Sequence, residues 1–182
     1  WMDHNHFMAE GFAEFFKSGY IGNLINLWIP AVDNGNVLQK LKKGAKVADV
    51  GCGFGITTLM MAKAYPNSTF TGFDFHTESI EKANESAKKE NINNVKFEVS
   101  SASDFPGSGY DFVTFFDCLH DMGDPVGALT HTINVIKKGD GGRGDTSSGT
   151  CMIAEPFAQN ELENNVNPVA STFYAASTLI CV

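Results

Sequence analysis

The stretch "VADVGCGFGITTLM", Val47 to Met60, runs from apolar-leaning residues into glycines at alternate positions and then into a helix-like pattern. A strand feeding a glycine turn and a helix forms a grip for a nucleotide-like ligand. Gly51, Gly53 and Gly55 permit backbone torsions and close ligand approach that a β-carbon would block. In the dinucleotide fingerprint G-x-G-x-x-G the third glycine would fall at position 56, which is Ile56. A phosphate-cradling P-loop needs a Lys after its last glycine, and none follows here at that spacing. Neither phosphate pattern fits.

In the next apolar run, "FTGFDF", Asp74 ends the expected strand, 19 residues beyond Gly55. An acidic side chain at the end of a second strand accepts hydrogen bonds from ribose hydroxyls in dinucleotide folds. A strand-terminal Asp also caps turns, but beside the glycine turn the ribose role is the favoured one. The pair implies a nucleoside without a pyrophosphate.

Outward from this centre the chain alternates. Expected strands are Lys46–Val50, Thr69–Phe73, Val95–Val99, Phe112–Phe116 and Cys151–Ala154. Expected helices between them are Ile56–Tyr65, Thr77–Glu90 and Pro125–Lys137, the last opened by Asp124 as N-cap and Pro125 as first residue. Alternation of this kind predicts a Rossmann-like, doubly wound α/β sheet, mostly parallel and in three layers. Ahead of it, Phe7–Lys17 and a second segment ending at Pro30 read as helices, so residues 1–45 form a helical cover and 46–182 the main domain. These helices cover one sheet edge, with a lid or a dimer contact as the sharper alternative.

The bulk composition is that of an ordinary globular chain: 182 residues, 43% hydrophobic and 19% charged, with a net charge of −8. The acidic balance argues against a nucleic-acid surface. No apolar run reaches a membrane span, and the N-terminus lacks a signal-peptide layout. Cys52, Cys118, Cys151 and Cys181 form no C-x-x-C pair and read as reduced, which places the expected compartment in the cytoplasm. His4, His6, His76 and His131 form no metal-spaced set. The glycine-rich loop Lys137–Thr150 contains Arg143-Gly144-Asp145, an adhesion tripeptide, which reads here as part of a plain loop insertion.

The motifs "VADVGCGFG", "FTGFDF", "YDFVTFFDCLHDMGDP" and "GTCMIAEPF" together resemble the class I S-adenosylmethionine-dependent methyltransferases, over about Lys46 to Phe157. The C-terminal stretch further resembles a bacterial subgroup that often carries an N-terminal winged-helix domain, for which no segment is evident here. By this resemblance Gly51, Gly53 and Gly55 would line the methionine part of S-adenosylmethionine, with Asp49 orienting its amino group. Asp74 would hold the ribose and Phe75 would lie against the adenine. Ser101, next to Ala102, stands where the family often has an acidic residue accepting from the adenine. Phe116 and Asp117 would close the methionine side. The implied activity is methyl transfer to a small-molecule O or N acceptor. The alternative is a non-catalytic cofactor-binding or interaction module on the same fold.

Such a transfer needs alignment of the nucleophile and exclusion of water, plus a base if the acceptor must lose a proton. In "DCLHDM", His120 is the candidate base, with Asp121 or Asp117 to orient it, although a packing or helix-capping role is favoured. Glu155-Pro156 resembles a family motif on the substrate side or a structural turn. The family sheet usually closes with an antiparallel hairpin after the fifth strand. The segment after Phe157 is expected to supply one helix or strand at most. A fifth strand left open would invite pairing with a second copy, and a homodimer through that edge or the N-terminal helices is one expectation.

Overall fold

The structure is a computed structural model that describes residues 6–139 and 147–180. Arg143-Gly144-Asp145, His4 and Cys181 lie outside the described residues, as does the side chain of His6.

Five parallel strands form one sheet in the order β3-β2-β1-β4-β5. They are β1 (Lys46–Val50), β2 (Thr69–Asp74), β3 (Val95–Val99), β4 (Phe112–Phe116) and β5 (Thr150–Ala154). Every residue of β4 is buried, as a strand covered on both faces requires. Crossovers run through α4 (Ile56–Ala64), α5 (Thr77–Lys89) and α6 (Pro125–Val135). The chain winds outward from β1 to β3 and then returns to place β4 on the other side of β1. That reversal leaves a crevice beyond the carboxyl ends of β1 and β4, the usual ligand position in open α/β sheets.

The expected strands and crossover helices are present, with ends shifted by a residue or two. The N-terminal segment differs. Two helices were expected, yet α1 (His6–Asn23) continues through a π turn at Leu24–Trp28 into α2 (Ile29–Ala31). Gly19 and Gly22 meet no crowding and do not interrupt the rod, which ends only where Asp33 and Asn34 take left-handed torsions. Pro30 falls directly after the π turn, at the second residue of α2. After a left-handed Gly35, α3 (Asn36–Lys43) leads into β1.

This N-terminal arm shares its apolar interior with the sheet. Leu24, Ile29, Val37 and Leu41 pack in one cluster with Val47, Met61, Phe70 and Phe112. At the other end of the chain, residues after β5 form a short 3-10 turn at Leu162–Asn165 and then α7 (Pro168–Ile180). The asparagines that make "NNVNP" a poor strand are used as caps. The Asn165 side chain bonds the Gln159 and Glu161 carbonyls at 2.8 and 2.9 Å, and the Asn167 side chain accepts from the Ala170 amide at 2.9 Å with Pro168 following it. Among the described residues no helix is long and apolar enough to cross a membrane.

Leu24 has no exposed surface, while Ile21, one turn earlier, is 60% exposed. Leu24→Ala should therefore cost about 2–5 kcal/mol in urea denaturation, and Ile21→Ala should stay within about 0.5 kcal/mol of the parent. A small loss at Leu24 would mean that the arm is not part of the cooperative core.

Candidate functional site

A cavity of about 640 Å³ opens at the carboxyl ends of the strands, within the range of small-molecule sites. Its floor begins at the glycine turn. The Gly51 and Cys52 amides both donate to the Phe73 carbonyl, at 2.8 and 3.0 Å, which pins the turn to β2. Gly51 has φ +71°, and a β-carbon there would lie 2.7 Å from Cys118 Sγ, so no larger residue fits. Gly53 is different: a β-carbon there would meet nothing within 4 Å, because this glycine faces the cavity.

Asp74 closes β2 and reaches back to the turn. Its Oδ2 accepts the Gly53 amide at 2.9 Å and its Oδ1 accepts the His76 amide at 2.9 Å. An ionised carboxylate has about four acceptor positions, so roughly half remain for a ligand. Beside it the Phe75 ring is 65% exposed at the cavity wall. Ser101 and Ala102 also line the cavity. The Ser101 hydroxyl meets Ser103 Oγ at 3.0 Å, while Asp104 lies outside the lining. Phe116 and Asp117 close the far side.

Two of the expected ligand residues are placed elsewhere. Asp49 is only 1% exposed and does not border the cavity. Its Oδ2 accepts from the Thr57 and Thr58 hydroxyls at 2.7 and 2.6 Å, and its Oδ1 from Thr114 at 2.8 Å. Burial raises its carboxyl above the ordinary aspartate range, and the three hydroxyls pull it back. Asp49 therefore braces the turn from behind, outside the cavity lining. Gly55 is the left-handed N-cap of α4, and a β-carbon there would strike the Phe97 ring at 2.5 Å, so it serves packing.

His120 lies at the mouth, on a 3-10 turn at Leu119–Asp121. It neither packs in the core nor caps α6, since Asp124 caps that helix by accepting from the Gly127 amide at 2.8 Å. His120 Nδ1 instead pairs with Glu155 Oε2, from the loop after β5. Glu155 Oε1 meanwhile accepts the Leu119 amide at 2.8 Å and the Cys118 amide at 3.3 Å. Of the two orienting groups expected from sequence, Asp121 stands 3.5 Å from His120 Nε2, and Asp117 makes no direct bond to the ring. Glu155 is the true partner. Sequence carries only a faint signal for it, a carboxylate directly after the fifth strand.

The roof was not identified residue by residue from sequence. Phe12, Phe16 and Tyr20 of α1, with Phe173 and Tyr174 of α7, close over the floor. Phe16 stacks on Phe173 at 6.5 Å between ring centroids, and Tyr20 meets Phe116 edge-on at 5.8 Å. The buried Tyr20 hydroxyl donates to Asp117 Oδ2, a polar tie between the roof and β4. Burial holds the Tyr20 phenol far above its ordinary value of 10.0, so it remains a donor at neutral pH. Burial also raises the Asp117 carboxyl, opposed by the Tyr20 hydrogen bond and His120, and reinforced by Glu155.

A family model described as a methyltransferase domain matches residues 41–173. An uncharacterized methyltransferase of Schizosaccharomyces pombe is 34% identical over 111 residues, covering 57% of this chain and 40% of its own length. A demethylmenaquinone methyltransferase of Listeria welshimeri is 30% identical over 105 residues, covering 56% and 44%. The chain thus spans less than half the length of these curated relatives. Among solved structures, the YcgJ protein of a Bacillus superposes with a TM-score of 0.56 at 21% identity, over 76% of this chain and 62% of the other. The [4+2]-cyclase SpnF superposes with a TM-score of 0.50 at 23% identity, over 64% and 45%. These two likenesses establish the shared fold, and the second belongs to a protein named for a different reaction.

A raised carboxyl value has a defined sign in stability. The folded state holds its Asp117 proton more tightly than the unfolded chain, so its contribution is complete below the ordinary value of 3.8 and is lost as pH rises through the raised one. Asp117→Asn keeps an oxygen for the Tyr20 hydroxyl but cannot ionise. Its stability relative to the parent should increase between about pH 4 and pH 7 in parallel urea titrations. A constant difference across that window would show that Asp117 titrates normally.

Proposed function

The chain belongs to the methyltransferase-domain family, the class I S-adenosylmethionine-dependent enzymes, and on that premise we propose that it binds S-adenosylmethionine in this cavity and methylates a small-molecule acceptor. The observation that carries the proposal is the convergence of Gly53 and Asp74 on one face of the cavity. Gly53 leaves room for close backbone approach, and Asp74 retains acceptor positions suited to a ribose diol. The exposed Phe75 ring offers a stacking face for the adenine. Among the described residues, no Lys or Arg lines the cavity. That suits a nucleoside with an amino-acid tail and disfavours a pyrophosphate. Gly51, Phe116 and Asp117 would border the tail, and Ser101 and Ala102 the adenine.

Bound there, the cofactor supplies an electrophilic methyl group on a sulfonium. The chain's own part is to exclude water, through the aromatic roof, and to accept a proton where the acceptor must lose one. His120 suits that second role. Its Nδ1 is held by Glu155, and its Nε2, 3.5 Å from Asp121, lies at the cavity mouth. Glu155 is a positioning residue, because it also fixes the turn that carries His120. The small-molecule nature of the acceptor is supported by the demethylmenaquinone methyltransferases among the relatives.

Calorimetry with S-adenosylmethionine is expected to give one site. Each hydrogen bond to a charged carboxylate contributes about 1.5–3 kcal/mol, so Asp74→Ala should weaken binding by at least about 50-fold. Asp74→Asn, which keeps one acceptor oxygen, should fall between. Absence of binding to folded parent protein, or an unchanged affinity in Asp74→Ala, would overturn the assignment.

A further inference from the structure

A second chamber of about 390 Å³ adjoins the cofactor cavity. The two share Phe16, Tyr20, Asp117, Glu155, Phe157 and Phe173 among their common lining. Beyond these residues the second chamber alone extends to Trp28, Gln159, Asn164, Asn167 and Val169. Methyl-donor binding does not call for this extra space.

Its chemistry is uneven. The apolar side presents ring faces and edges: Phe16 stacks on Phe173, and Tyr20 meets Trp28 edge-on at 6.2 Å. Phe157 is 80% exposed at the boundary between the chambers, a large ring with little packed against it. Such rings favour a flat, apolar body. The polar side consists of side-chain amides and two carboxylates, Asp117 and Glu155. Among the described residues, no Lys or Arg lines either chamber. An anionic group brought here would lose its water, gain no Lys or Arg counter-charge and approach the acceptor oxygens of Asp117 and Glu155, which Tyr20 and His120 already engage. A neutral or cationic group meets no such penalty.

We propose that the second chamber is the acceptor pocket, and that it selects a ring-bearing small molecule without an anionic group. The carboxylates of the shared wall set the charge rule, and the roof rings of α1 and α7 set the shape. This proposal rests on the first cavity being the methyl-donor site. Tyr20 and Asp117, which belong to both linings, stand where donor and acceptor would meet.

Three probes with one ring system test the charge rule: naphthylethylamine, naphthylethanol and naphthylacetate. Each is titrated calorimetrically into the full chain, with and without saturating S-adenosylhomocysteine. The carboxylate should bind at least ~10-fold more weakly than both others, since burying an unpaired charge costs more than a factor of ten in affinity. Gln159 is exposed and lines only the second chamber, so Gln159→Lys adds a counter-charge there without touching the first cavity. In that variant the discrimination should shrink to less than about threefold. Equal binding of the carboxylate and the amine in the parent, no binding by any probe, or unchanged discrimination in Gln159→Lys would each overturn the proposal. Failure of S-adenosylhomocysteine to bind would appear in its own titration and would count against the donor site instead.

Discussion

The buried carboxylate of Asp49 holds the centre of this fold together. A carboxyl with 1% exposure is costly unless it is hydrogen-bonded, and here three threonine hydroxyls donate to it. The donors come from separate elements: Thr57 and Thr58 from the first turn of α4, and Thr114 from β4. One side chain thereby ties β1 to the helix that follows it and to the strand beside it, at the point where the sheet reverses direction. The glycine turn between β1 and α4 is then constrained at both ends, and its amides are fixed to β2 through the Phe73 carbonyl. Asp74 adds the last constraint from the end of β2. The floor of the cavity is a consequence of these few bonds.

The roof obeys different physics. α1 and α7 meet through aromatic contacts, and their main polar link to the sheet is the Tyr20 hydroxyl on Asp117. Ring packing favours closure without demanding one geometry, whereas a hydrogen bond to a half-buried carboxylate is directional. Asp117 adopts a left-handed torsion at φ 49°, unusual for a residue other than glycine. Its amide donates to the Ala154 carbonyl at 2.8 Å, so β5 helps hold it in place. The roof is thus attached at a residue that the sheet has already fixed.

How far this was legible in the sequence depends on the range of each interaction. Strand and helix alternation, the glycine turn and Asp74 are local patterns, and they appear where the residues indicated. The cap Asp124 and the proline after it are equally local. The resemblance set Asp49 beside the ligand's amino group, and the three hydroxyls that instead surround it are a non-local feature of the fold. Thr114 stands opposite it only once β4 pairs with β1, in the register that sets Asp49 against Thr114. The adjacent threonines at 57 and 58 were the available clue. His120 shows the same limit, since its partner Glu155 lies 35 positions away and reaches it only when β5 lies beside β4. The single N-terminal rod was hidden because glycines and a proline usually interrupt helices, whereas here the rod runs through Gly19 and Gly22 and takes up Pro30 just after a π turn.

These two ranges bear on how one fold can serve many acceptors. The donor side is fixed by short-range motifs and one buried acid, where almost any substitution breaks a satisfied hydrogen bond. The proposed acceptor side is built from ring residues on α1 and α7 and from the loop after β5, which meet only in three dimensions. Apolar contacts of that kind tolerate exchange of one ring or aliphatic group for another at modest cost. Glu155 bridges the two regimes, since it orients His120 and fixes the 3-10 turn through backbone amides while bordering both chambers. Changes in acceptor preference should therefore arise in the rings of the roof with Glu155 unchanged, because altering Glu155 would disturb the turn that carries His120 at the same time.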